Sequence, residues 1–547
     1  MKKPLQLLIL IATIIPYLSF AQCTETPVTR VMIIGDSWAQ FLGSDNTFNT
    51  TFQKWGHSNY KFFTNATLAQ NGTQTTDFVD PARLAEIQNQ LTLNPDINLV
   101  HLSLGGNDVL GNWNVNYTPS QTDSLLDSVY ARLVYIIDFI KTAKPGVRIL
   151  WSGYTYPNFG EIIGELAPFQ STHPFYATWQ AMGFPDFTQL NNILNSYSVT
   201  MDTLAANDPQ VDFVRATGVM QYAYGQNTAL SVPPGGTYAP LTAPLPDGFP
   251  TYPSPKAAMR NYIIFRDCFH LTPEGYSVFL DYHTQKFYHK ILMDDQYILS
   301  EGGTRDGSVS DAGTVSSQLQ LGNSGTEDFA TVLSFNTTAM PDTGISKASI
   351  FLRRTALTGT NPSSGNLQIR IVNGAFSASA DVEASDYTSP GDATDIPCQF
   401  GSTSDNGHWI RLELPSSMLP YITNDTLTQF IISASGATGL VTFTDATDPD
   451  FAPVLNLTYG PVPVGLSDIS AEDKSVTMYP NPTNGIVMMD TNGQRILEIS
   501  VYNTTGQLIA NPDVYSNSID LSSFSSGIYM VKITTAENVI TKRIVKK

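Results

Sequence analysis

The sequence predicts an α/β domain built on a parallel sheet, followed by an all-β sandwich and a small C-terminal β domain. Three observations carry that expectation. Within residues 22–300, short apolar runs ending in glycine alternate with helical periodicity. Over 303–460 the pattern changes to short alternating segments divided by Gly, Asn, Asp and Ser, and 475–547 is a further short-strand region beyond a linker at 461–474. At 547 residues the chain exceeds what one hydrophobic core supports, so several domains are expected.

The elements follow in order. Residues 1–21 join a basic start, Lys2 and Lys3, to an apolar stretch from Leu5 to Leu18 and small residues at Ser19 and Ala21, which reads as a signal peptide cleaved after Ala21. A membrane-spanning reading is disfavoured by the short run and by Gln6 and Pro16. Lipidation of Cys23 is disfavoured by Phe20-Ala21-Gln22 before it. Arg30 to Ile34, ending at Gly35, and Ile97 to Leu104, ending at Gly105-Gly106, read as buried strands with loops at their carboxyl ends. Leu125, Val129, Leu133, Ile136, Ile137 and Ile140 recur at helical spacing, with Ser120 and Asp123 placed as a cap. Lys144-Pro145-Gly146 stops that helix and Val147 to Trp151 restarts as a strand, so the strand-helix-strand order implies parallel pairing with right-handed crossovers. Residues 154–262, rich in aromatic residues, Pro and Gly, read as a long insertion with a helical portion near Phe187 to Ala206, either a lid or a surface excursion.

Composition narrows the partners. Apolar residues make up 42% and charged residues 14%, a globular balance, and the formal charge of −19 argues against a nucleic-acid partner and suits a soluble secreted protein more than a membrane binder. Three cysteines, Cys23, Cys268 and Cys398, give no disulfide framework and no cysteine metal site, while leaving room for one bridge.

Three separated motifs carry chemistry: Gly35-Asp36-Ser37-Trp38 after one strand, Gly105-Gly106-Asn107-Asp108 after another, and Asp267-Cys268-Phe269-His270 late in the domain. In a doubly wound sheet, loops at the carboxyl ends of strands converge on one crevice, so distant residues can share a site. A serine hydroxyl needs a base in hydrogen-bond reach, an acid that orients the base, and donors for the oxyanion. Ser37 is the expected nucleophile, His270 the base and Asp267 its partner. The expected oxyanion donors are the Asn107 side-chain amide and the backbone N–H groups of Ser37 and Gly72. Asp36 and Asp108 read as loop organisers, and the other six histidines as structural or exposed. No metal and no cofactor is expected.

With these residues in order, and Leu271-Thr-Pro-Glu-Gly-Tyr276 after His270, the chain resembles the SGNH, or GDSL-type, serine hydrolases over roughly residues 28–295. The resemblance implies a flavodoxin-like α/β/α fold and maps the family's four naming residues onto Ser37, Gly72, Asn107 and His270, with Asp267 completing a triad. Two departures are visible: Trp38 replaces the usual leucine, and Ala69 to Thr76 follows the family pattern loosely.

The rest of the chain carries two further resemblances. Ala330 to Phe335, Lys347 to Leu352 and Pro453 to Tyr459 resemble the DNRLRE-type, carbohydrate-binding-module-like sandwiches, which implies glycan binding or a spacer role. Met478 to Thr483, Ile499 to Gly506, Ser526 to Tyr529 and the basic end from Thr541 to Lys547 resemble a type IX secretion C-terminal sorting domain, implying the type IX machinery as partner and an extracellular or cell-surface location. The expected function is a secreted carboxylester hydrolase that removes acyl, chiefly acetyl, groups from polysaccharide. A lipase, lysophospholipase or polyester-active esterase is the alternative within enzymes, and a catalytically inert surface adhesin the alternative outside them.

Overall fold

The structure, a computed structural model, describes residues 23–341, 344–364, 366–401, 405–460, 476–491, 496–503, 507–512, 514, 516, 518–535 and 539–547. The expected leader at 1–21 and the linker at 461–474 lie outside the described residues. The chain divides into two compact units, Met1–Val462 and Pro463–Lys547.

The first unit opens with β1 (Val28–Gly35), whose last five residues are buried, as a central parallel strand requires. α1 (Ser37–Ser44) and α2 (Thr47–Lys54) lead to β2 (Tyr60–Phe63), and α3 (Thr75–Phe78) and α4 (Pro81–Leu93) lead to β3 (Leu99–Ser103). α5 (Gly106–Asn112) and α6 (Pro119–Ala143) lead to β4 (Arg148–Ser152). α7 (Phe159–Gly164), α8 (Tyr176–Ala181) and α9 (Phe187–Ala206) then lead to β5 (Val211–Val214). Every pairing among these strands is parallel, in the order β2-β1-β3-β4-β5. The order reverses between β1 and β3, and a crevice opens where their carboxyl ends lead away to opposite sides.

Two expectations are corrected here. The stretch 154–262 is not one insertion, because α9 and β5 within it complete the parallel sheet. β5 was hidden because it is a four-residue edge strand carrying Asp212, which forms an ion pair with Arg148 on β4 instead of adding to an apolar run. The cap of α6 is Thr118, not Ser120 or Asp123: its side chain accepts from the N–H of Gln121, Gln121 answers in a capping box, and Pro119 occupies the first helical position.

After α10 (Val219–Tyr224), an antiparallel hairpin of β6 (Met259–Tyr262) and β7 (Phe265–Leu271) leads into α11 (Pro273–His283). β8 (Gln296–Leu299) then pairs antiparallel with Val454–Tyr459, so the α/β part ends as a strand of the β-rich part. That β-rich part is antiparallel and closes on an apolar core that includes Leu333, Phe335, Ile350, Ile369 and Phe430. Trp55 of the α/β part stacks on Trp409 with ring centroids 5.5 Å apart, and a Cys23–Cys398 disulfide ties the start of the chain to the same β region. A sulfur held in that bridge is not free for lipidation. The second unit consists of small antiparallel sheets around Val487, Ile499, Val501, Ile519 and Val531.

Candidate active site

The end of β1 explains why Gly35-Asp36-Ser37 has the residues it has. Gly35 has φ +148°, and a Cβ there would lie 1.8 Å from the Ser103 carbonyl oxygen of β3, so only glycine permits the approach. Asp36 caps α1, its carboxylate accepting from the Trp38 N–H at 2.9 Å, while its own N–H donates to Ser103 O at 2.9 Å. Ser37 is therefore the first residue of a helix, where its N–H has no intrahelical acceptor.

β7 supplies the opposite wall. Asp267 Oδ1 accepts from the backbone N–H groups of Phe269 and His270, both at 2.9 Å, which fixes the carboxylate. Its Oδ2 lies 2.8 Å from His270 Nδ1, and His270 Nε2 lies 2.7 Å from Ser37 Oγ. All three side chains are buried. A proton on Nδ1 satisfies the carboxylate and leaves Nε2 as the acceptor for the Ser37 hydroxyl, so this arrangement can take up the hydroxyl proton as Oγ attacks an electrophile. Spacing alone does not single out His270, because Asp405 also stands three residues before His408, but that pair lies in the β-rich part.

Asn107 reaches the same cleft from the start of α5. Its Nδ2 donates to Thr73 O at 2.9 Å, its backbone carbonyl accepts from Gln74 Nε2 at 3.1 Å, and a second amide hydrogen remains. Asp108 holds this joint, accepting from Thr75 N at 2.8 Å, Thr75 Oγ1 at 2.6 Å and Arg132 at 3.3 Å. Ser37, Asn107, Leu110, Thr155, Leu194 and Phe269 line the cleft. Gly72 stands outside it, on an exposed turn next to Thr73, and its N–H has no acceptor among the described residues. The structure thus brings Ser37, His270, Asp267 and Asn107 together and leaves Gly72 at the rim.

Sequence reasoning missed Tyr154. Its hydroxyl donates to Asp36 Oδ2 at 2.7 Å and accepts from the Gly106 N–H at 3.0 Å, bridging the Ser37 turn and the Asn107 turn. A Cβ on Gly106 would lie 2.8 Å from the Tyr154 ring, which accounts for the second glycine of that motif. Burial, partly offset by the Tyr154 hydrogen bond, pushes the Asp36 carboxyl up to about 6. The available signal was position: Tyr154 directly follows an apolar strand and Gly153, as Ser37 and Asn107 follow theirs.

Other histidines are buried in apolar surroundings that favour the neutral ring. His57 and His289 share a 3.1 Å contact, His101 meets Tyr288 Oη at 2.8 Å, and His283 lies 3.2 Å from Ser152 Oγ. Among the described residues no three His, Cys, Asp or Glu side chains converge as a metal site.

Comparison with known proteins adds the following. Residues 33–278 match the model of the GDSL-like Lipase/Acylhydrolase family, and residues 477–547 match that of the Secretion system C-terminal sorting domain. No curated protein matches the chain. Among solved structures, a family 3 carbohydrate esterase from Clostridium thermocellum is 18% identical, covering 48% of this chain and 97% of its own, with a TM-score of 0.26. A carbohydrate esterase family 3 protein from Talaromyces cellulolyticus is 13% identical, covering 48% and 98%, with a TM-score of 0.27. A member of the lipolytic protein G-D-S-L family from Veillonella parvula is 12% identical, covering 48% and 100%, with a TM-score of 0.27.

Proposed function

We propose, from the premise that residues 33–278 form a GDSL-like lipase/acylhydrolase domain, that this carboxylester hydrolase works through Ser37, His270 and Asp267 and cleaves short acyl esters on a glycan. The C-terminal sorting domain makes it a secreted or cell-surface protein and implies the type IX secretion machinery as a partner.

The observation that carries the reading is the unbroken relay from Ser37 Oγ to His270 Nε2 at 2.7 Å and from His270 Nδ1 to Asp267 Oδ2 at 2.8 Å. Ser37 Oγ attacks the acyl carbon as its proton passes to His270 Nε2. The tetrahedral oxyanion is held by the Ser37 N–H, the second Asn107 amide hydrogen and the Gly72 N–H, the last requiring the rim turn to face the bound substrate. The imidazolium then protonates the leaving alkoxide, and water, activated by the same imidazole, releases the acid from Ser37.

A short acyl group is favoured by the cleft beside Ser37, a cavity of about 30 Å³ walled by Leu110, Leu194, Thr155 and Phe269, room for roughly a methyl-sized group. An acetyl group fits this space. The glycan as alcohol half is supported by the surface location of the protein and by the attached β-rich part.

The test has two arms. Ser37→Ala is expected to lower turnover of p-nitrophenyl acetate by several orders of magnitude while leaving the fold unchanged, and a wild-type rate would exclude the mechanism. Acetate release from a panel of acetylated polysaccharides, set against hydrolysis of long-chain p-nitrophenyl esters, reads the substrate. A sharp preference for the long chains would sink the short-acyl glycan reading.

A further inference from the structure

We propose that the tip of the β6–β7 hairpin, Tyr262-Ile263-Ile264, is an anchor that docks the protein on a phospholipid–water interface. Ile263 and Ile264 are each 84% exposed, and Tyr262 is 43% exposed. Consecutive isoleucines at that exposure are not a scattered surface residue but an apolar point without cover among the described residues. Ile263 also sits at φ +57°, a region that a β-branched side chain avoids, so the backbone is held against its own preference in a shape that turns both side chains outward.

The tip is joined to the cleft. β7 runs from this turn to Asp267 and His270, and a chain of rings follows it: Phe175 lies 5.5 Å from Tyr262 and 4.7 Å from Phe269, and Phe269 lies 4.4 Å from His270. Phe269 lines the cleft around Ser37. An apolar surface therefore runs from the exposed point to the catalytic wall, as expected where the covering phase is the one that presents substrate. A second exposed ring, Phe169 at 68%, belongs to the loop whose His173 packs on Phe265 at 5.2 Å.

Charge selects the kind of interface. Lys256 is paired with Glu161 and Glu165, and Arg260 with Asp45, but Arg266, two residues past the tip, makes no ion pair among the described residues. Its guanidinium is held by the carbonyls of Lys256 at 2.6 Å and Met259 at 3.0 Å. An apolar point with a tyrosine beside it and an unneutralised arginine behind it matches the layers of a phospholipid surface, with acyl chains at the centre, headgroups around them and phosphates outermost. Esters with a short acyl group displayed at such a surface would reach Ser37 along the Phe175–Phe269 wall. Docking is independent of which residue is the nucleophile.

Cosedimentation of the full chain with mixed phosphatidylethanolamine–phosphatidylglycerol vesicles tests this. Wild type is expected to pellet with the vesicles. The double variant Ile263→Asn, Ile264→Ser is expected to lose binding roughly tenfold or more, since two large apolar side chains no longer enter the interface, with hydrolysis of soluble p-nitrophenyl acetate unchanged. Ile264→Ser alone, at an exposed site with no strained φ, gives the same reading if the double variant misfolds. Wild type remaining in the supernatant, or variants that pellet as wild type does, would overturn the proposal. So would concentration-dependent self-association abolished by the same variants, which would make the tip a contact between copies of the chain.

Discussion

The Tyr154 hydroxyl donates a 2.7 Å hydrogen bond to the carboxylate of Asp36, the residue that caps the helix beginning at Ser37. The same hydroxyl accepts from Gly106 at 3.0 Å, so one phenol sets the spacing between the Ser37 turn and the Asn107 turn. Tyr154→Phe leaves a buried carboxylate and a buried N–H each without that partner, an expected cost of about 1–3 kcal/mol in stability. Asp36, whose carboxyl is already up at about 6, moves further up because the bond that lowered it is gone. We expect kcat to fall while KM holds, read by steady-state kinetics beside denaturant unfolding. An unchanged kcat at full stability loss would show that the phenol only braces the fold.

Asn107→Ala removes the proposed oxyanion donor and also the 2.9 Å bond to Thr73 O. The expected loss is roughly 10²–10³ in kcat. Asp267→Asn keeps the shape at His270 but favours the wrong tautomer, for an expected loss of roughly 10⁴. Assay of a soluble acetyl ester separates the two, and an Asp267→Asn variant less impaired than Asn107→Ala would contradict the assigned roles.

Stability should fall on acidification below about pH 6.5, the unfolded histidine value. Burial holds His283 down to about 4 and His289 to about 3, and lowers His57 and His101 well below the ordinary value. The unfolded chain therefore binds more protons than the native one from about pH 6.5 down towards those folded values, and each such histidine costs up to about 2 kcal/mol at about pH 5. Asp36 and Asp306 work in the opposite sense, since their raised carboxyls take up a proton in the native state first, but they are two groups against four. Thermal melts across this range check the sign, and a Tm that holds or rises on acidification would refute it.

The Cys23–Cys398 bridge spans 375 residues of sequence with Cα atoms 5.5 Å apart. Non-reducing digestion should yield a linked Cys23–Cys398 peptide, while buried Cys268 should resist alkylation in the native state. Cys398→Ser is expected to lower stability by about 2–5 kcal/mol. Equal melting of variant and wild type under oxidising conditions would remove the bridge from the account.

The parts legible in the sequence are those whose physics is local. β1 and β3 are apolar runs closed by glycine, α6 is a helical period ended by Lys144-Pro145-Gly146, and both the Ser37 and Asn107 turns follow buried strands, so each was legible from neighbouring residues. Asp267 and His270 were legible as well, since three residues around one turn, closed by the Asp267 carboxylate on the N–H groups of Phe269 and His270, place it beside the imidazole. The rest depends on contacts between segments far apart in the chain. β5 becomes a strand because Ile149 to Ser152 and Val211 to Val214 pair across the sheet, and Cys398 finds Cys23 only because the β-rich part packs on the α/β part through Trp55 and Trp409. Tyr154 has no motif, since a phenol becomes a bridge only when burial and two converging loops put Asp36 and Gly106 on either side of its hydroxyl. Gly72 shows the reverse limit: the family resemblance named it, but its exposed turn leaves it outside the cleft lining, because sequence order does not encode which way an exposed turn faces.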